Sequence, residues 1–388
     1  MSESSEIILN GKSLAFEWIL ENYEDLPSEQ FSQNEIQTLI FCGQWLSGQK
    51  RFSVPTSGST GQPKSVNLTR QQMAASARMT GEALHLNKGD SALVCLSPEH
   101  IAGLMMLVRG FELGLNVTVV EPAGNPFTAF DFENGGHFHF TAFVPLQLQT
   151  ILNSGETHLA VLNRMKAILV GGAEVSATLE KTIEQVETPV YQTFGMTETV
   201  SHIALRRLNG PDKVENYEAL PGVEIGQNEH GCLRVKSAVT NNEWLVTNDV
   251  VEIKTENRFV WLGRIDNMIN SGGVKVSAEK VERAIAEVLF EMNQGKSIHQ
   301  EFFVGPLPDK IYGQVVTVVF EGVNQIQIDE KRLKVLLSKN LTTYEIPKSS
   351  YYLNSFIRTS TGKIDRKANL AKIINELEFL PKVKIPLK

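Results

Sequence analysis

The ten residues TSGSTGQPKS, Thr56 to Ser65, hold two glycines, five hydroxyl side chains, one proline and one lysine. That composition suits a bound phosphate better than a helix or a strand. Glycine lets the backbone approach a ligand closely and take positive φ. Free N–H groups and hydroxyls then donate to an anion, and a lysine adds a point charge. Thr56, Ser57, Gly58, Ser59, Thr60, Gly61 and Lys64 are the candidate phosphate ligands. The segment is not a P-loop of the form G-x-x-x-x-G-K-[ST]. Counted from Gly58, that pattern needs glycine where Pro63 stands, and proline has no N–H and a fixed φ. A flexible Gly/Ser linker is the bland alternative. The flanking runs RFSVP and SVNLT are β-prone, which puts the glycines in a tight connection between strands.

Other clusters carry chemistry of the same kind. YQTFGMTET places Thr197 and Glu198 directly after a strand and Gly195. A hydroxyl and a carboxylate there can hold a phosphate oxygen and its Mg²⁺, or simply cap a helix. TNDVVEI places Asp249 at a turn between strands, either as a ribose ligand or as an ordinary turn aspartate. STGKIDR places Lys363 on a Ser/Thr/Gly turn, as a reactive cation or as a solvated one.

The elements that must position these groups alternate. NEIQTLIFCGQWLSG reads as a helix closed by Gly48, and SLAFEWILENYE as another before it. Thr69 with Gln72 forms a capping box that starts a helix through about Leu84, with Met73, Ala77 and Leu84 on one face. SALVCLS, NVTVVE, FTAFVP, MKAILVGG and PVYQTFG read as strands, separated by the helices IAGLMMLVRGFELG, LQLQTILNS and SATLEKTIEQV. Alternating βα units imply a largely parallel sheet. Ligands of such sheets bind beyond the C-terminal strand ends, where Gly171, Gly172 and Gly195 fall. From about Gly222 short alternating strands suggest a small β-rich subdomain. After GRIDN, VSAEKVERAIAEVL, GQVVTVVFEG and DEKRLKVLLSKN form a compact α+β unit. The expected fold class is α/β: a large N-terminal domain of parallel βα layers with a small β-rich subdomain, then a small mobile α+β C-terminal domain.

A chain of 388 residues with 42% hydrophobic and 21% charged content fits a globular protein of two or more domains. A net charge of −7 argues against non-specific nucleic-acid binding. Cys42, Cys95 and Cys232 lie far apart without metal spacing, as free thiols of a reducing cytoplasm would. The acidic start MSESSEIILNGKSL lacks a signal pattern. No apolar run approaches bilayer length, so integral membrane association is not expected.

In order and content the clusters resemble the adenylate-forming superfamily, which includes acyl-CoA synthetases, peptide-synthetase adenylation domains and luciferases. TSGSTGQPK looks like its phosphate loop, YQTFGMTET its adenine-and-magnesium loop, GRIDNMINSGGVKVSAEKVE its hinge region and RTSTGKIDR its catalytic-lysine loop. The likeness runs from about Pro55 to Arg366. Within the superfamily, GMTETVSHIAL and the short chain are similar to the o-succinylbenzoate–CoA ligases of menaquinone biosynthesis.

The resemblance implies roles. Thr56, Ser57, Gly58, Ser59, Thr60, Gly61 and Lys64 would hold the β- and γ-phosphates of ATP. Gly171, Gly172 and Ala173 would line the adenine and acyl pocket, and Phe194, beside Gly195, would stack on adenine where the superfamily more often has tyrosine. Thr197 would touch the α-phosphate and Glu198 bind Mg²⁺. Asp249 and Arg264 would hold the ribose, Asp266 would be the hinge, and Gly272 and Gly273 would shape the pantetheine tunnel of coenzyme A. Lys363 would bridge the acyl carboxylate and the α-phosphate. The implied domains are 1–264, binding ATP and the acyl group, and 265–388, carrying the lysine. The second carboxylate of o-succinylbenzoate would need a polar or basic partner, for which His100, Ser201 and His202 are the candidates.

The sequence departs from the pattern in two places. Asn248 stands where the superfamily has glycine before the ribose aspartate, and only 55 residues precede the first motif. A trimmed large domain is expected, and a homodimer is left open. Another aryl- or acyl-CoA ligase, or a stand-alone adenylation enzyme, is the rival reading. A non-catalytic nucleotide-binding relative is disfavoured because both Glu198 and Lys363 are present.

Overall fold

The computed structural model describes residues 5–56, 64–132, 137–293, 301–322, 329–359 and 363–379. These form two compact units. The first takes the described residues to Thr56, those from Lys64 to Thr247, and Glu252–Trp261. The second takes Asn248–Val251 and the described residues from Leu262 onward.

The first unit begins with a hairpin, β1 (Glu6–Leu9) and β2 (Lys12–Ala15), then helices α1 (Phe16–Asn22) and α2 (Gln33–Leu46). The run SLAFEWILENYE is thus a strand end followed by a helix, because the alternating Lys12–Ala15 segment pairs with β1 before the helix starts. Strands β3 (Arg51–Thr56) and β4 (Lys64–Thr69) pair antiparallel in a ribbon of their own, which gives the first glycine-rich motif its stem. Ser57, Gly58, Ser59, Thr60 and Gly61 lie outside the described residues. Helix α3 (Arg70–Ala83) starts at the Thr69–Gln72 capping box, and Met73, Ala77 and Leu84 are buried.

Alternating units follow: β5 (Ser91–Val94), α4 (Ile101–Leu113), β6 (Asn116–Val119), β7 (Phe140–Phe143), α5 (Pro145–Leu152) and α6 (Glu156–Leu162). Then come β8 (Ala167–Val170), α7 (Ala177–Ile183) and β9 (Val190–Gly195). Helix α4 stops at Gly114, whose φ of 64° is left-handed. The strands β1, β6, β5, β7, β8 and β9 lie side by side and parallel. Their apolar residues and the helices covering them form the main core, with Phe127, Phe143, Ile168 and Val190 at its centre.

The sheet then turns antiparallel through β10 (His202–Arg207) and β11 (Tyr217–Ala219). It ends with β12 (Glu224–Gln227), β13 (Cys232–Lys236), β14 (Leu245–Thr255) and β15 (Arg258–Arg264). The strand order is β12-β13-β14-β15-β11-β10-β9-β8-β7-β5-β6-β1-β2. The β-rich segment after Gly222 therefore continues the main sheet. Asp249 corrects its sequence assignment: it lies inside β14, not at a turn, because TNDVVEI belongs to an uninterrupted eleven-residue strand. Asn248 is not among the residues of positive φ.

The second unit holds β16 (Met268–Ser271), β17 (Val274–Ser277), α8 (Ala278–Met292), β18 (Phe302–Asp309) and β19 (Gly313–Glu321). It closes with α9 (Glu330–Leu337), β20 (Ser349–Leu353) and α10 (Arg366–Phe379). Strand alternation divides its core in two. Val304, Val316, Val318 and Phe320 pack under α8 and α9, whereas Phe303, Leu307, Val315 and Val319 pack with Leu370 and Ile373 of α10. No helix of the described residues is long and apolar enough to cross a membrane.

Asp90, just before β5, accepts from Lys166 at 2.7 and 2.8 Å and from the Asn87 amide at 2.8 Å. Burial pushes its carboxyl up, but these bonds outweigh it and hold the group below the usual carboxylate range. A depressed acid stabilises the fold above its unfolded pKa and loses that contribution as pH falls through the folded value. Asp90→Asn should therefore cost about 1–3 kcal/mol at neutral pH and flatten the acid limb of a urea-denaturation pH series. An unchanged limb would mean that other carboxylates set it.

Candidate active site

The ends of β8 and β9 meet closely. A Cβ on Gly171 would stand 2.1 Å from Thr193 Oγ1, and Gly172 has φ +82°, so neither position suits a side chain. Ala173 follows, exposed. On β9 the half-buried Phe194 ring lies 5.2 Å from Tyr217 and 5.1 Å from Phe259, an aromatic wall built on one face of β9, β11 and β15. Gly195 ends the strand. Thr197–Thr199 then make a single 3₁₀ turn, with Thr197 half-buried and Glu198 exposed.

Val200 reverses the chain. Its φ of 65° and ψ of −54° make a positive-φ γ-turn, closed by the Ser201 amide donating to Thr199 O at 2.7 Å. A buried β-branched residue in that conformation carries about 1–3 kcal/mol of strain. The turn delivers Ser201 and His202 to the end of β9, where His202 pairs with Gly195.

Here the structure adds residues the sequence reading missed. Arg109, on α4 and only 2% exposed, donates from Nη2 to Ser201 Oγ at 3.0 Å and lies 3.5 Å from His202 Nδ1. Thr80 of α3 lies 3.1 Å from His202 Nε2 and donates its own proton to Ser76 O at 3.0 Å. Because that hydroxyl proton is committed, Nε2 carries the imidazole proton and Nδ1 faces Ser201 and Arg109 as an acceptor. Burial, then the charge of Arg109, hold His202 well below the usual imidazole range, so it is neutral.

Arg109 has no acidic partner among the described residues, and its buried Nε has no hydrogen-bond acceptor there. Burial pushes its guanidinium down to about 9. The contrast with Arg206 of β10 is direct. That equally buried guanidinium is met by Gln192 Oε1 at 2.7 and 3.1 Å and by the carboxylates of Glu180 and Glu215. The signal for Arg109 in the sequence is an arginine inside the apolar run IAGLMMLVRGF. His100 sits at the exposed N-terminal cap of the same helix, nine residues before Arg109, away from the Ser201–His202 cluster.

The backbone of Thr56 pairs with Lys64 at the mouth of the β3–β4 ribbon. The remaining sequence candidates fall in the second unit. Asp249 lies in β14. Asp266 Oδ2 accepts from Arg264 Nη2 at 3.1 Å and from Asn248 Nδ2 at 3.2 Å, so these three form one polar cluster. Gly272 and Gly273, with φ of +61° and +83°, make the tight turn of the β16–β17 hairpin. Lys363 is exposed, and its carbonyl accepts from the Thr359 amide at 2.8 Å.

The mixed α/β sheet, parallel from β1 across to β9, and the separate α+β unit make the fold of adenylate-forming enzymes. Residues 52–227 match the family of AMP-binding enzymes. An acyl-CoA synthetase (AMP-forming)/AMP-acid ligase II-like protein from Dyadobacter fermentans is 45% identical, with a TM-score of 0.58 over 88% of this chain and 95% of that one. The chain belongs to the adenylate-forming, AMP-binding enzyme family.

A 2-succinylbenzoate–CoA ligase of Staphylococcus aureus is 30% identical over 332 residues, 80% of this chain. The chain spans 65% of the length of that curated relative. The fold also matches o-succinylbenzoate CoA synthetase (MenE) from Bacillus subtilis. In complex with the acyl-adenylate intermediate OSB-AMP that protein gives a TM-score of 0.64 at 23% identity, over 81% of this chain and 68% of that one. In complex with ATP and magnesium ion it gives 0.64 at 22% identity, over 93% of this chain and 83% of that one.

The junction of β9 with β10 leaves no room for a methyl group. A Cβ on Gly195 would stand 2.2 Å from Ser201 O and 2.6 Å from His202 Cα, both backbone. Gly195→Ala should cost about 1–3 kcal/mol by displacing the Val200 turn. Urea denaturation measures this, and an unchanged midpoint would show the turn to be slack.

Proposed function

We propose that the protein is an AMP-forming carboxylate–CoA ligase that converts o-succinylbenzoate to o-succinylbenzoyl-CoA with ATP and coenzyme A. The observation that carries the substrate is Arg109: a buried guanidinium without an acidic partner among the described residues, joined to Ser201 and His202 beside the strand end. Such a cation is costly unless an anion meets it. A substrate with a second, unreacting carboxylate supplies that anion, and a guanidinium fork binds it well. The family match and the names of the relatives support the same reaction.

In this reading the reacting carboxylate attacks the α-phosphorus of ATP. The bond to pyrophosphate breaks, leaving acyl-adenylate. The thiol of coenzyme A then attacks the acyl carbon and AMP departs. Negative charge grows on the phosphoryl oxygens, so the protein contributes placement and electrostatic stabilisation. The loop Thr56–Lys64 holds the β- and γ-phosphates. Gly171, Gly172 and Ala173 leave space for adenine, Phe194 offers its ring, and Thr197 meets the α-phosphate. Asp249 and Arg264 hold the ribose. Glu198, exposed on its turn, is a single carboxylate of the sort Mg²⁺ uses when substrate phosphates complete its shell. When bound there, the ion neutralises charge on the transferring phosphate.

Residues 1–264 then bind ATP and the acyl group, and residues 265–388 form a mobile domain that swings at Asp266. Lys363 serves adenylation and withdraws, and Gly272 and Gly273 border the pantetheine path. The three cysteines are buried and form no disulfide, which suits the reducing cytoplasm.

ATP–pyrophosphate exchange over a panel of carboxylic acids tests the substrate. Exchange with o-succinylbenzoate is expected, and exchange with simple benzoates or fatty acids alone would sink the assignment. Arg109→Ala should raise the KM for o-succinylbenzoate at least tenfold, with the KM for ATP unchanged. Equal loss toward ATP would remove the arginine from acyl recognition. Lys363→Ala should lose about 10²–10³ in adenylation rate yet still convert pre-formed adenylate to thioester. Gly273→Leu should do the reverse, and stopped-flow measurement of each half-reaction separates them. Loss of the same half-reaction in both would reject two domain orientations.

A further inference from the structure

The segment that carries Lys363 is anchored from three sides. Arg358 and Ile364 form a bridge, and the Asp365 amide donates to Ile357 O at 2.9 Å, so 357–359 and 363–365 run as two paired arms. Asn369 of α10, fully buried, ties the base of both arms. Its Oδ1 accepts from the Ile357 amide at 2.9 Å, and its Nδ2 donates to Ile357 O at 2.9 Å and Asp365 O at 2.7 Å. The outgoing arm ends at Arg366, three residues past Lys363.

Arg366 makes a two-pronged contact with Glu282 of α8, at 2.7 and 2.9 Å, and also donates to Val304 O at 3.1 Å. Glu282 accepts in turn from the Val304 amide at 2.6 Å. One carboxylate thereby fixes the start of α10 to α8 and β18 at once. The side chain of Glu282 is 16% exposed and that of Arg366 28%. Burial pushes the Glu282 carboxyl up to about 7, against the pull of Arg366 and the Val304 amide. An ion pair so placed adds little net stability. What it supplies is direction: a guanidinium fork on a carboxylate permits one geometry.

We propose that Glu282, acting through Arg366, is a positioning residue that sets where the Lys363 ammonium stands during adenylation. The inference rests on the role of Lys363 given above. Reacting groups displaced by about 1 Å can lose about 10² in rate, so a loosened anchor should show in the step that uses Lys363 and in no other.

The test is a double-mutant cycle at pH 8 on the full chain. Glu282→Gln keeps an acceptor for the Val304 amide and loses the fork. Arg366→Lys keeps the charge and loses the fork, and serves if the first variant folds poorly. Each should slow single-turnover adenylation about 10–100-fold. The KM for ATP and the rate of thioester formation from pre-formed acyl-adenylate should stay at wild-type values. In the Lys363→Ala background Glu282→Gln should add nothing further. A slowing of both half-reactions alike, or a full multiplicative effect without Lys363, overturns the positioning role. If Lys363→Ala is slow and Glu282→Gln and Arg366→Lys are not, the anchor alone is refuted. If Lys363→Ala adenylates normally, the reading beneath falls and takes the anchor with it.

Discussion

A buried positive charge needs an answering oxygen, and much of the first unit is arranged around that need. Arg206 finds its oxygens within the protein and in doing so ties β10 to β9 and α7. Arg109 finds the Ser201 hydroxyl, a neutral imidazole and the Met106 sulfur, and no carboxylate among the described residues. That arrangement depends on α4 and α3 standing where Arg109 and Thr80 both reach His202, and on the Val200 reversal that carries Ser201 and His202 to Gly195. Helix packing, the glycine at the strand end and the strained valine converge on one polar cluster. The backbone strain and the unanswered charge sit within a few residues of each other, as expected of a site whose energy is completed by a ligand.

The second unit shows the same economy in a different form. Its sheet is covered on both faces, and the partly buried ion pair is placed where α8, β18 and α10 converge. Hydrophobic packing would serve such a junction at least as well for stability. A fork-shaped contact specifies an angle that packing alone does not.

Local signals were legible where the physics is local. The Thr69–Gln72 box, the Gly114 stop and the apolar strands before Gly171 and Gly195 follow from capping, positive φ and burial. Asp249 was misplaced because an Asn–Asp pair reads as a turn, while the pairing partners that make it part of β14 are supplied by distant chain. Arg109 was passed over because eight apolar or small neighbours made its helix look like simple core. Its meaning lies in Ser201 and His202, more than ninety residues away, a distance that periodicity does not reach. Glu282 and Arg366 are likewise ordinary charges on two amphipathic segments until tertiary structure joins them.

The pairing of β1 with β6 has a kinetic side. Ile8 and Leu9 sit beside Thr118 and Val119, and the Asn10 side chain accepts from the Glu121 amide across a sequence separation of 111 residues. Closing so large a loop is entropically slow, so this strand docks only after its partner exists. On the ribosome EIIL is made well before β6, so its β6-facing edge is paired late although β2 covers the other. Through that interval its apolar edge is open to any other strand. Nascent chains of this protein therefore pass through a stage in which one edge of the β1–β2 hairpin waits for β6.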